Sequence, residues 1–84
     1  MARQKPRRVD IECNLHGLTR EEALIELRKV ESLLRRRGRG KARIIHGCGE
    51  ILSELVYRFA AEAGDMEIAQ ERDNAGASIL QLVR

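Results

Sequence analysis

Val9-Asp10-Ile11-Glu12-Cys13-Asn14-Leu15-His16-Gly17-Leu18-Thr19-Arg20-Glu21-Glu22-Ala23 sets the pattern of the chain. The first seven of these residues alternate strictly, with Val9, Ile11, Cys13 and Leu15 on one face and Asp10, Glu12 and Asn14 on the other. That two-residue period belongs to a strand with one buried side. His16-Gly17-Leu18 breaks it, and Thr19 to Glu22 has the Ser/Thr-x-x-Glu form of a capping box, in which each side chain satisfies an otherwise unpaired backbone N–H. A helix is expected to start there. Ala23, Leu24, Leu27, Val30 and Leu34 follow at three- and four-residue spacing, Arg35 to Arg37 suit the negative end of the helix dipole, and Gly38 stops the helix.

A second passage from strand to helix comes next. Lys41 to Ile45 reads as a short strand ending at His46, and Gly47-Cys48-Gly49 interrupts the pattern. Ile51, Leu52, Leu55, Val56, Phe59, Ala60 and Ala63 then form one apolar stripe of a helix that Gly64-Asp65 ends. Met66 to Ala69 is a weak third strand, Asn74-Ala75-Gly76 supplies turn residues, and Ser78 to Val83 is a fourth strand. The order is β-α-β-α-β-β. Strands joined through a helix lie parallel by a right-handed crossover, whereas the last two, joined by a short turn, pair antiparallel. The expected architecture is a two-layer α/β domain: a mixed four-stranded sheet, two helices on one face, and the polar residues of the first strand on the open side.

The 84 residues allow one domain, 9–84, behind a basic arm, 1–8, expected to be flexible. With 43% hydrophobic and 35% charged residues the chain has the composition of a folded protein. No apolar run approaches the roughly 18 residues of a membrane span, and the basic start lacks the apolar core of a signal peptide, so a cytoplasmic protein without a membrane partner is expected. Cys13 and Cys48 are too few for a disulfide framework and are expected to be reduced thiols. Charge is unevenly distributed: residues 1–43 carry 13 basic and 6 acidic side chains, residues 44–84 carry 3 and 7. Arg3, Lys5, Arg7 and Arg8 form one basic cluster, and Arg35, Arg36, Arg37, Arg39, Lys41 and Arg43 another. Such clusters either contact phosphates or decorate a solvated face.

Each of the two histidines ends a strand, precedes a glycine and stands before a helix: Leu15-His16-Gly17 and Ile45-His46-Gly47. Parallel strands bring both histidines and both helix N-termini to one edge of the sheet, where open α/β folds bind ligands. Helix N-termini offer unpaired N–H groups, and the glycines of His46-Gly47-Cys48-Gly49 let the backbone approach an anion, so a phosphate is the expected guest. The bland alternative is that the glycines only make turns and the histidines are ordinary loop residues.

Asn14-Leu15-His16-Gly17-Leu18-Thr19 with Glu21, Glu22 and Ala23 resembles the opening "LDLHG…EA" motif of the small MutS-related (Smr) domain. Arg43-Ile44-Ile45-His46-Gly47-Cys48-Gly49 resembles that family's second motif, "HGxG", and Asn74 to Leu82 is similar to its last strand. The resemblance covers residues 9–84. It implies the fold shared with the C-terminal domain of translation initiation factor three, nucleic-acid binding and, in several members, nicking of DNA or cleavage of RNA. Two positions depart from the family pattern: Asn14 stands where aspartate is usual, and Cys48 where a basic residue is common.

The expected function is therefore a weakly sequence-specific endonuclease acting on RNA or DNA, with a non-catalytic module docking on DNA junctions or the ribosome as the alternative. For catalysis His16 and His46 are the expected acid–base pair on RNA, since imidazoles titrate near neutrality and need no metal. Hydrolysis of DNA calls for a divalent cation such as magnesium, and Asn14 is a poor ligand for it. The expected binding residues are Asn14, Gly17, Arg43, Gly47, Cys48 and Gly49 around the motifs, with Arg35, Arg36, Arg37, Arg39 and Lys41. Zinc is disfavoured, because Cys13 and His16 are an odd number of residues apart on an extended strand and point to opposite faces. Cys48 as a nucleophile is also disfavoured. Tyr57 and Phe59 are the only aromatics and Phe59 reads as core, so contacts should go to backbone phosphates rather than stacked bases. Met66 reads as a core residue, and the acidic second half as a solvated or protein-docking face.

Overall fold

The computed structural model describes residues 9–83; the basic arm expected at 1–8 lies outside the described residues. The elements follow in the expected order: β1 (Ile11–Asn14), α1 (Arg20–Arg37), β2 (Lys41–Ile45), α2 (Glu50–Ala63), β3 (Met66–Glu71) and β4 (Asn74–Leu82). β1 and β2 pair in parallel, β2 and β4 antiparallel, and β3 and β4 antiparallel, so the strands lie in the order β1-β2-β4-β3. The last strand is central, inserted between β2 and β3, and its long register serves both neighbours.

Local chemistry sets the helix ends. Thr19 Oγ1 accepts from the Glu22 N–H at 3.1 Å and Glu22 Oε1 accepts from the Thr19 N–H at 3.0 Å, which closes the capping box. At the other end Gly38 adopts φ 77° and its N–H donates to the Leu34 carbonyl at 2.8 Å, a left-handed stop that glycine takes without strain. Ala23, Leu27, Val30 and Leu34 from α1, with Val56 and Ala60 from α2, bury one stripe against Cys13, Leu15, Ala42, Ile44 and Leu80 of the strands and the β1–α1 link. Glu12 and Asn14 stay on the open side, as the alternation requires, whereas Asp10, just ahead of β1, accepts from the Lys41 N–H and pairs with Arg37 at the end of α1.

The hairpin between β3 and β4 turns two residues earlier than Asn74-Ala75-Gly76 suggests. Glu71 pairs with Asn74, and Arg72 and Asp73 make the turn, with Asp73 at φ 59°. Aspartate tolerates that left-handed conformation better than most residues, which the glycine in Asn74-Ala75-Gly76 had obscured. Gly76 serves another purpose: its carbonyl accepts the N–H groups of both His46 and Gly47 at 2.9 Å each, and a Cβ there would stand 3.5 Å from the Gly47 backbone. It is an acceptor that ties the loop after β2 to β4 rather than a turn residue. No helix among the described residues is long and apolar enough to cross a membrane.

Arg35, near the end of α1, grips Asp65 at the start of β3 through two hydrogen bonds of 2.7 and 2.9 Å, and also reaches Glu31 at 2.9 Å. Hydrogen bonding to Arg35 lowers the Asp65 carboxyl from its ordinary value. Because the folded value lies below the unfolded one, the contribution to stability is present above the ordinary aspartate value, about 3.9, and is lost as pH falls through the folded value. The carboxyl resonance of Asp65, followed by NMR, should titrate below that of a free aspartate and return toward it in Arg35→Gln. In the core, Ile44 has no solvent exposure. Ile44→Ala should cost about 2–5 kcal/mol in chemical denaturation.

Candidate nucleic-acid interface

β1 and β2 point the same way, and the segments leaving them meet at one sheet edge. Leu15 continues the pairing beyond β1, its N–H donating to the Ile45 carbonyl at 2.7 Å. The next residue, His16, is turned outward by a local bond: its N–H donates to Asn14 Oδ1 at 2.9 Å. This is an Asx turn, which asparagine makes as readily as aspartate. His16 is exposed and its ring lies over Gly47, so close that a Cβ on Gly47 would fall 2.6 Å from His16 Cδ2. Gly47 also has φ 80°. Space and backbone conformation both demand glycine there.

His46 occupies the same edge but a different environment. It is only 3% exposed, and both ring nitrogens are engaged within the fold. Nδ1 lies 2.8 Å from the Gly47 carbonyl, an oxygen that can only accept, so Nδ1 carries a proton and donates. Nε2 is then the acceptor in the neutral ring, and Ser78 Oγ, 2.9 Å away, donates to it. Tyr57 Oη stands 3.4 Å from the same Ser78 oxygen. The imidazole is thus the buried centre of a network linking the β2 end, β4 and α2.

The two helix N-termini at this edge differ. That of α1 is closed by its own capping box and carries Glu21 and Glu22 in the first turn. That of α2 begins at Gly49, which has no side chain to cap it, and its first-turn N–H groups receive no side-chain bond. α2 carries one acidic residue, Glu50, in its first turn, but its backbone donors are uncapped, so of the two it is the N-terminus that suits an anion. A cleft of about 410 Å³ opens in front of it, lined by His16, Thr19, Arg20, Gly49, Glu50 and Ile51, with the buried His46 also on its wall.

Other expected site residues lie elsewhere. Arg43 is on the open face of the sheet, half-buried between Glu12 at 3.3 Å and Glu71 at 2.9 Å, so its charge is balanced within the fold. Arg35, Arg36, Arg37, Arg39 and Lys41 gather at the end of α1 and the start of β2, the sheet edge opposite the histidines. Gly17 and Cys48 are exposed at the histidine edge. Cys13 is in the core, where burial pushes its thiol up, and it faces away from His16. Among the described residues no three His, Cys, Asp or Glu side chains gather as metal ligands.

Sequence reading missed Arg20, Ser78 and Tyr57. Arg20 follows the N-cap directly, so the helix start placed it beside His16. Ser78 is a lone hydroxyl on the inward parity of an apolar strand, and a buried hydroxyl needs a partner. Nothing in the chain order pointed to His46 as that partner.

A model of the Smr domain matches residues 13–82. The chain belongs to the Smr domain family. Smr domains are nucleic-acid-binding modules. This Smr domain is similar in fold to the Smr domain of Thermus thermophilus MutS2, with a TM-score of 0.79 and 24% sequence identity over 89% of this chain and 100% of that one. No curated protein matches the chain.

The buried network gives a direct test. Ser78→Ala leaves His46 Nε2 without its donor, and should cost about 1–3 kcal/mol in thermal or chemical unfolding, the usual penalty for an unsatisfied buried group. Ser78→Thr, which restores a hydroxyl, should recover part of the loss.

Proposed function

We propose that this Smr domain binds the sugar–phosphate backbone of structured nucleic acid at the edge where His16 stands beside the uncapped start of α2. The single observation that carries this reading is the contrast between the two helix N-termini: α1 is self-capped, whereas α2 opens beside an exposed imidazole and Arg20. Backbone N–H groups and an imidazole recognise a phosphate irrespective of base, which fits a protein with no aromatic platform for stacking. A docking module for DNA junctions or ribosomal RNA is the form of activity this geometry favours.

The endonuclease reading has one observation in its favour, the outward His16 ring. An imidazole there can accept the proton of an attacking hydroxyl beside donors that stabilise charge on the phosphate, so RNA, which carries its own 2′-hydroxyl, is the favoured substrate. An acid–base pair of His16 and His46 is not favoured, because both ring nitrogens of His46 are bonded inside the fold.

Fluorescence anisotropy with labelled duplex DNA and RNA over a range of salt tests the binding. His16→Ala is expected to weaken it by roughly tenfold to a hundredfold, the loss of one charge-assisted hydrogen bond, with unchanged melting temperature. Equal affinity in the parent and His16→Ala would remove the site. Incubation of the same RNA and DNA, with and without magnesium, separates the readings: if the domain cleaves RNA, His16→Ala should slow cleavage about a hundredfold or more.

A further inference from the structure

α2 turns one row of side chains toward the start of α1. Ile51, Glu54, Leu55 and Arg58 recur at the three- and four-residue spacing of one helix face, and with Arg20, the first residue of α1, they line a hollow of about 110 Å³. Arg20 and Ile51 also line the cleft beside His16. The two depressions therefore meet at this pair of side chains, with the phosphate site on one side and the hollow on the other.

Ile51 is 64% exposed, more than any other large hydrophobic residue among those described. Single apolar side chains are common on protein surfaces, but Ile51 is not isolated. Leu18 and Leu52 accompany it in the cleft and Leu55 in the hollow, and these three pack against the core from the other side. A continuous aliphatic surface thus borders the phosphate site. A phosphate gains nothing from such a surface. The polar residues of the hollow, Arg20, Glu54 and Arg58, are exposed and of mixed sign, and none forms an ion pair with the described residues. The hollow is therefore not a second phosphate site. An aliphatic floor with guanidinium groups at its rim suits a flat, uncharged ring, because an unstacked base lays its face on apolar side chains or on guanidinium planes.

We infer that the hollow takes the base of one unpaired nucleotide whose phosphate lies at His16 and the start of α2. This inference rests on the phosphate site proposed above, and it names the class of nucleic acid that the site selects. The first-turn donors of α2 and the row from Glu54 to Arg58 are successive turns of one helix, about 5.4 Å apart, the scale on which a sugar separates a phosphate from its base. A base inside a duplex is stacked on its neighbours and offers no face to Ile51, whereas a base at a junction, a loop or a strand end can be turned out. The site is specific for a strand where it leaves a double helix, and Ile51 makes the distinction.

The test compares three labelled DNA hairpins with the same stem: one blunt, one with a short 3′ overhang of natural nucleotides, and one whose overhang keeps the sugars and phosphates but has no bases. Fluorescence anisotropy gives the affinities, and the Ile51 methyl resonance, followed by NMR, reports the ring current of a base laid against it. The parent chain is expected to bind the base-bearing overhang about fivefold or more tighter than the abasic one, the low end of what stacking one base contributes, with the Ile51 methyl moving upfield only in the former. Ile51→Ser should abolish that preference and leave the affinity for the abasic overhang within about twofold of the parent's, whereas His16→Ala should weaken both overhangs alike. Equal affinity of the parent for the two overhangs, or a blunt stem bound as tightly as the base-bearing one, overturns the base site and leaves the His16 site standing. A preference that survives Ile51→Ser also overturns it, because the base then lies elsewhere. Affinities that His16→Ala leaves unchanged on all three hairpins remove the phosphate site itself. Ile51 is exposed, and a melting temperature equal to the parent's confirms that the serine variant is folded.

Discussion

The imidazole of His46 is the fixed point of the candidate site. Its Nδ1 holds the Gly47 carbonyl and its Nε2 the Ser78 hydroxyl, while its backbone N–H and that of Gly47 both reach the Gly76 carbonyl. Three of these hydrogen bonds tie the loop after β2 to β4, and the fourth closes the loop on itself. A buried network of this kind is stable only when every member is satisfied, and no buried side-chain nitrogen or oxygen among the described residues lacks a partner. Because Gly47 is fixed, the surface on which the His16 ring rests is fixed too, and with it the approach to the start of α2.

The two histidines therefore have unequal work despite their matching sequence contexts. Both follow a strand and precede a glycine, yet one is turned into the fold by Ser78 and the other outward by Asn14. The difference arises from neighbours remote in the chain for His46, 32 residues away, and two residues away for His16. The inward ring organises the backbone, and the outward ring meets whatever enters the cleft.

Charge follows a similar division. Sequence proximity made Arg35 to Arg43 look like one basic patch beside the second motif, but the chain runs away from that motif between them. Arg35 and Arg43 are balanced by carboxylates brought in from Asp65, Glu12, Glu31 and Glu71, whereas Arg36, Arg39 and Lys41 face solvent. The backbone donors and the unbalanced cations consequently occupy opposite ends of an 18-residue helix.

The sequence by itself determined whatever depends on near neighbours. Period-two alternation gave β1 its buried and open faces, the Thr19–Glu22 capping box and Gly38 set both ends of α1, and the crossover through α1 made β1 and β2 parallel with their histidines at one edge. Resemblance to the Smr motifs followed from residues that sit in those same turns. Tertiary structure alone decided the position of β4 between β2 and β3, because strand order depends on which edge a hairpin docks against and leaves no periodic mark in the chain. It also decided the burial of His46, its bond to Ser78 and the separation of the basic pole from the histidines. Those outcomes are set by contacts across the sheet and by the direction of a helix axis, where residues far apart in sequence compete for the same hydrogen bond or the same charge.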